Sequence, residues 1–350
     1  MDEQGVMDFL MKLSGDAAIA AGGLSVAIGD RLGLYTAMSD AGPMTAGELA
    51  ERTGLVERYV EEWLAVQAGL DYVRYDPGTQ SFELPEEHAA VLADENSPTF
   101  LGGVFPVLRS LYATEDDLVT AFRVGGGVGW DEHGDSLYRG TARLFRPGYR
   151  ANIVDAWLPA LDEMVDRLRR GARVADLGCG FGYSTIIMAE ALPRSTFVGI
   201  DYHAASVDAA GKAAADAGVG DRVTFEVAGA TNFRGGGYDL ITCYDCLHDM
   251  GDPEGVARRV RAALVDDGTW MIVEPAASGR LEENFHPIGR FFLAASLAIC
   301  LPSAMAQHGS RALGNHAGED AVRGIVESAG FSRWRRVADS PVNVVYEARP

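Results

Sequence analysis

Cysteine and lysine are both scarce in these 350 residues, at four and two copies. Cys179, Cys243, Cys246 and Cys300 are too few and too unevenly placed for a disulfide scaffold. Lysine stands only at 12 and 212, arginine carries the rest of the positive charge, and no folding reason accounts for that bias. Basic charge as a whole is in deficit, 30 residues against 50 acidic, for a net of −20. That balance argues against broad attraction to nucleic acid or anionic lipid, while it tolerates cationic small molecules. A basic leader is missing as well, since the chain opens Met-Asp-Glu. The longest stretch without a charged side chain, 291–310, carries Pro302, Gln307 and His308. Its strongly apolar part, 291–301, falls short of the ~30 Å of a hydrocarbon core. These absences predict a soluble, cytoplasmic protein with no membrane and no nucleic-acid partner. What remains is an ordinary globular composition, 47% hydrophobic and 23% charged, in a chain long enough for two domains at ~150 residues each.

The two halves differ in grammar. Residues 1–125 read as a mostly helical domain with one small hairpin. The segment 9–29 is Ala-rich with Asp16 as its one charge after Ser14, too apolar for a solitary surface helix; it needs burial in its own domain or against a second subunit, which predicts a homodimer. Thr45, with Glu48 three residues on, caps a short helix that Gly54 stops. A second helix over 57–69 carries Tyr59, Val60, Trp63, Leu64 and Val66 as its apolar stripe. Two short strands around Asp76-Pro77-Gly78 then form a hairpin, completing a winged-helix order. From 45 to 93 this wing has three arginines against ten acids, and Glu57, Glu61 and Glu62 would face phosphates on the would-be recognition helix. A dimerisation scaffold is therefore the expectation, not a DNA reader.

Residues 126–150 read as a linker or lid, and 151–350 alternate strands with helices. Strands are expected at 173–177, 196–200, 223–227, 238–243 and 269–274, with an antiparallel pair at 331–337 and 342–347. One helix is expected over 151–170, its Trp157 on an apolar stripe. The pattern predicts an α/β fold with a doubly wound parallel sheet that binds ligand at the carboxyl ends of its strands.

Asp176-Leu177-Gly178-Cys179-Gly180-Phe181-Gly182-Tyr183 is the strongest local signal. Glycines at i, i+2 and i+4 let backbone approach a ligand at a strand-to-helix bend. The dinucleotide fingerprint G-x-G-x-x-G fails because Tyr183 occupies its sixth position. Asp176, two residues ahead of the first glycine, would repel a pyrophosphate and welcome a sulfonium or ammonium. Asp201, 23 residues past Gly178, suits a pair of ribose hydroxyls. A cationic, phosphate-free nucleoside fits all three features, and S-adenosylmethionine is that ligand.

Asp176 to Gly182 followed by Asp201 resembles the first two motifs of class I S-adenosylmethionine-dependent methyltransferases. The winged domain ahead of them resembles the small-molecule O-methyltransferases. Cys246-Leu247-His248-Asp249-Met250-Gly251-Asp252 and Thr269-Trp270-Met271-Ile272-Val273-Glu274-Pro275 resemble an actinobacterial group, a mycobacterial member among them, with a winged N-terminal domain. The resemblance covers the whole chain and implies a Rossmann-like methyltransferase sheet with a cap insertion at about 276–318. It further implies that Asp176, Gly178, Gly180 and Gly182 hold the methionine end of the donor, Asp201 the ribose and Tyr202 the adenine. The third motif offers no acid, so Asn232 is the substitute there, and Tyr244 and Asp245 lie beside the sulfonium. By the same resemblance His248 is the general base, with Glu274 behind it, and the donor leaves as S-adenosylhomocysteine.

Weaker signals complete the expectation. Cys243 and Cys246 form a C-x-x-C that reads as structural. His286, His308 and His316 are too widely spaced for a local zinc motif, so no metal is expected. The glycine run at 125–129, with Trp130 and His133 behind it, reads equally as linker or as lid over the small-molecule acceptor. Phe291 in the cap reads as core or substrate wall. The alternatives are nitrogen or carbon methylation by proximity, a non-catalytic donor-sensing regulator, and a nicotinamide dehydrogenase.

Overall fold

The computed structural model describes every residue except Ser310. It divides into two compact units, Met1–Leu108 with Arg139–Pro147, and Arg109–Tyr138 with Gly148–Pro350. That division departs from a boundary at 125 and from a linker over 126–150. Asp135–Asn152 is an 18-residue helix, whose stretch Arg139–Pro147 belongs to the first unit. Within it, Gly140 is a contact point. A Cβ there would stand 2.9 Å from the Val107 backbone nitrogen, so the bare backbone permits close packing.

In the first unit, α1 (Glu3–Arg31), α2 (Leu34–Met38), α3 (Ala46–Thr53) and α4 (Glu57–Gly69) precede the hairpin of β1 (Arg74–Asp76) and β2 (Ser81–Glu83). The expected capping box is present, the Thr45 hydroxyl accepting from Glu48 N and the Thr45 N donating to Glu48. Gly22 and Gly29 stand one heptad apart on α1, and side chains there would run into Leu70 and Trp63. Their absence lets α4 lie close, where Trp63 Nε1 donates to Ser25 O at 2.8 Å and Tyr35 donates to Gln67 at 2.6 Å. Val60, Trp63 and Leu64 are buried as expected, but Tyr59 is 79% exposed and Val66 half-exposed, so the stripe is narrower than the sequence suggests. Only the last third of α1 packs; residues 1–21 are exposed throughout.

The second unit holds a seven-stranded sheet of β3 (Arg173–Leu177), β4 (Thr196–Asp201), β5 (Val223–Val227), β6 (Tyr238–Tyr244), β7 (Leu264–Pro275), β8 (Arg333–Asp339) and β9 (Asn343–Arg349). Its order is β5-β4-β3-β6-β7-β9-β8. The first five strands are parallel and the last two join antiparallel, as expected. The chain moves outward from β3 through β4 to β5, then returns to β6 on the other side. That reversal opens a crevice at the carboxyl ends of β3, β4 and β6, where doubly wound sheets take ligand. Leu240, Ile241, Cys243, Trp270, Met271, Ile272 and Val273 are fully buried, the continuous apolar run of strands covered on both faces.

The expected helix over 151–170 does not exist as one piece. A π-turn at Ile153–Trp157 gives way to an irregular stretch around Pro159 and Glu163, the latter in left-handed backbone at φ 58°, before helix resumes at Met164–Arg170. Proline removes the amide that the ladder needs. After β7 the cap forms a long helix, Pro287–Ala295, a π-turn Ser296–Cys300 and Leu301–Ala306. By length and composition, this 20-residue segment and Glu3–Arg31 are both long and apolar enough to cross a membrane, which revises the expectation that no segment is.

Candidate active site

The bend after β3 is built as its glycines demand. Gly178, Gly180 and Gly182 all have positive φ (66°, 49° and 74°), a region that side chains disfavour. A Cβ on Gly178 would meet Cys246 Sγ at 2.7 Å, and one on Gly182 would meet Phe225 at 2.6 Å. Gly180 faces open space, and its amide donates to Asp201 Oδ2 at 2.9 Å. Asp201 Oδ1 accepts from the His203 amide at 2.8 Å, which fixes the carboxylate at the end of β4. Burial raises its pKa while those two amides work against the rise.

Asp176 is placed differently from the sequence reading, which aims its carboxylate at the ligand. It is buried, and Ser184 and Thr185 donate to Oδ2 at 2.6 Å while Thr242 donates to Oδ1 at 2.9 Å. Burial raises its pKa, and the three hydroxyls oppose that shift. Its immediate task is to pin the helix Tyr183–Ala191 to β3 and β6 under the bend. Sequence reasoning missed these hydroxyls, although a Ser-Thr pair just past a glycine bend is a readable sign of a carboxylate partner.

Tyr202 is half-exposed beside Asp201, and Asn232 lies exposed on the turn after β5. Trp130 stands 5.9 Å from Tyr138 between ring centroids, and Tyr138 stands 4.5 Å from His203. This aromatic chain brings the segment behind the glycine run to His203, beside Asp201. Gly127 lies against the cap helix, where a Cβ would overlap the Pro302 carbonyl. His133 is buried, and neither ring nitrogen has a hydrogen-bond partner among the described residues. Burial lowers its pKa. Phe291 is half-buried in the cap with Phe292 as ring neighbour.

Tyr244 turns inward, its ring packed with Trp157 and Tyr149 and its hydroxyl on Met188. Asp245 follows in left-handed backbone at φ 50°, accepting from Tyr149 at 2.9 Å and from Asn343 at 2.7 Å. Next comes a 3₁₀ turn, Leu247–Asp249. Glu274, near the end of β7, accepts from the Leu247 amide through Oε1 and from His248 Nδ1 through Oε2 at 2.6 Å. One carboxylate therefore fixes both the turn and the imidazole, and it turns Nε2 toward Asp249. Nε2 lies 3.2 Å from Asp249 Oδ1, and Cys300 of the cap closes the same corner. Burial lowers the His248 pKa, but the facing carboxylates of Glu274 and Asp249 outweigh it and hold the ring well above its ordinary value. Cys243 and Cys246 are free thiols, Cys243 accepting from Trp270 Nε1 and Cys246 donating to Leu177 O.

Residues 20–94 match the family model for the Rv2258c-like winged HTH domain, and residues 168–315 match that for a methyltransferase domain. The 27-O-demethylrifamycin SV methyltransferase of Amycolatopsis mediterranei is 31% identical over 178 residues, which are 47% of this chain and 65% of that one. The first curated relatives are matched over 27% to 65% of their own length. Among solved structures, the mitomycin 7-O-methyltransferase MmcR has a TM-score of 0.71 at 17% identity, covering 99% of both chains. Human N-acetylserotonin methyltransferase, solved in complex with SAM, has a TM-score of 0.70 at 16% identity over 100% of this chain and 98% of that one. A match to the Rv2258c-like winged helix-turn-helix model thus precedes, in one chain, a match to a methyltransferase-domain model.

Proposed function

We infer that the protein is an enzyme that moves a methyl group from S-adenosylmethionine to a small organic acceptor, with an oxygen as nucleophile and His248 as general base. The observation that carries this reading is the His248 Nδ1–Glu274 Oε2 hydrogen bond at 2.6 Å, beside the crevice of the sheet. Methyl transfer is an in-line displacement on a sulfonium, and it needs the acceptor held at near-attack distance on the far side. A phenol with pKa ~10 is protonated near neutrality, so an oriented imidazole gains rate by taking its proton. Asp201 would receive the ribose hydroxyls, Gly178, Gly180 and Gly182 would let the methionine end approach backbone, and Tyr202 and Asn232 would flank the adenine. Asp176 would act by its charge and by holding the bend, and Tyr244 by packing behind Asp245. The Trp130 segment would close over the donor, while His133 and Phe291 would help shape the acceptor side. The product is S-adenosylhomocysteine.

His248→Ala should leave donor affinity nearly unchanged and lower turnover by ~10²-fold or more. Unchanged turnover, measured with labelled donor, would move the reading to a nitrogen or carbon acceptor or to catalysis by proximity alone.

We further propose a homodimer formed through α1 and a wing that does not bind DNA. Val6, Phe9, Leu10, Met11 and Leu13 are exposed on α1, which the chain itself leaves uncovered. On the wing, Arg58 is paired with Glu61 and Glu62, and Arg74 with Glu87, so little positive charge is free for phosphates. The four free thiols support a reducing, cytoplasmic setting.

A further inference from the structure

We propose that His248 Nε2, Asp249 Oδ1 and Cys300 Sγ form a three-ligand site for a divalent cation of the zinc class, and that its occupancy silences the base. These donor atoms all lie within 4.8 Å of one another. Zinc bonds of about 2.0–2.3 Å put the ligands of a tetrahedral site roughly 3.3–3.7 Å apart, so a small side-chain adjustment suffices. Nε2 and Oδ1 already stand 3.2 Å apart.

Three independent features point to a cation. Asp249 Oδ1 is buried and, apart from the His248 ring 3.2 Å away, has no partner among the described residues, a desolvated oxygen that a metal would satisfy. Glu274 on Nδ1 is the outer carboxylate that metal-bound imidazoles use, and it leaves Nε2 facing the other two donors. Cys300 ends the π-turn Ser296–Cys300, a local widening of the cap helix of the kind that often marks functional positions. A sulfur, an imidazole and a carboxylate select zinc over magnesium or calcium, which prefer oxygen alone. Three protein ligands leave a fourth position open. On binding, the cation takes the place of the proton on Nε2, and that proton and the Cys300 thiol proton both pass to solvent. Nε2 can then accept no proton from an acceptor hydroxyl, which is where this inference rests on the role of His248 proposed above.

The test uses the full chain, stripped by a chelator and titrated with Co²⁺ in the absence of donor and acceptor. One equivalent should bind with a sulfur-to-cobalt absorption in the near ultraviolet, and Cys300→Ala should abolish that absorption and weaken binding at least about tenfold. No such absorption in the parent chain, or its survival in Cys300→Ala, overturns the site. If Cys300→Ala does not fold by circular dichroism, Asp249→Asn takes its place, with weaker Co²⁺ binding expected and unchanged binding overturning the site. One equivalent of Zn²⁺ should depress methyl transfer by the parent chain and leave Cys300→Ala unaffected. Zinc that binds without slowing transfer overturns the silencing. A metal-free chain that transfers no methyl group counts against the function proposed above, and the cobalt absorption still decides the site.

Discussion

Asp245 sits in left-handed backbone between β6 and the turn that carries His248, and burial, with Glu274 nearby, pushes its carboxyl up to about 7. An acid whose pKa rises on folding stabilises the fold below its unfolded value near 4, and loses that contribution as pH climbs through the folded value. Between pH 4 and 8 the parent chain should therefore lose stability relative to Asp245→Asn, by about 4 kcal/mol at most. Denaturant unfolding of the two chains across that range checks this, and parallel curves would contradict it. Gly127 presents a steric case instead. Its Cβ would overlap backbone of the cap helix, so Gly127→Ala should cost about 1–3 kcal/mol and lower the melting temperature, whereas an unchanged melt would show the contact is soft. Neither effect is visible in the sequence. A carboxylate two residues from a C-x-x-C half gives no sign of Tyr149 and Asn343 above it, and a glycine run reads as flexibility until a helix is found lying on it.

The strands and most helices were legible because their signals are local. Asp176-Leu177-Gly178 marks the end of β3, and Thr45 with Glu48 marks the start of α3, each through a backbone requirement that nearby residues meet. The elements misread were those decided at a distance. The helix Asp135–Asn152 tolerates Pro147 and two glycines, at 140 and 148, and Gly140 packs on another segment of the chain. The helix expected over 151–170 breaks near Pro159, which the apolar stripe overshadowed. α1 reads as too apolar for water, and the chain buries only its last third. Sedimentation at micromolar concentration should show a dimer, and Phe9→Glu with Met11→Glu on α1 should yield monomer without unfolding the chain. A parent chain that sediments as a monomer would refute the assignment.

The whole molecule separates a helical wing from a parallel sheet whose reversal point collects the site. Sequence spacing singled out Asp201 and the glycines, and the resemblance singled out His248 and Glu274, which the fold joins by a hydrogen bond. It did not locate Cys300, 52 residues beyond His248, because only the cap brings that thiol to the imidazole. It also set Asp176 against the ligand, where the fold surrounds that carboxylate with hydroxyls. The proposed donor-binding role thus rests most heavily on Asp201, fixed by Gly180 and His203 with lone pairs still open. Calorimetric titration with S-adenosylhomocysteine is the decisive measurement. The parent chain should bind one equivalent, Asp201→Asn should bind at least about tenfold more weakly, and NAD⁺ should give no heat. Equal affinity in the two chains, or binding of NAD⁺ in place of S-adenosylhomocysteine, would contradict the account.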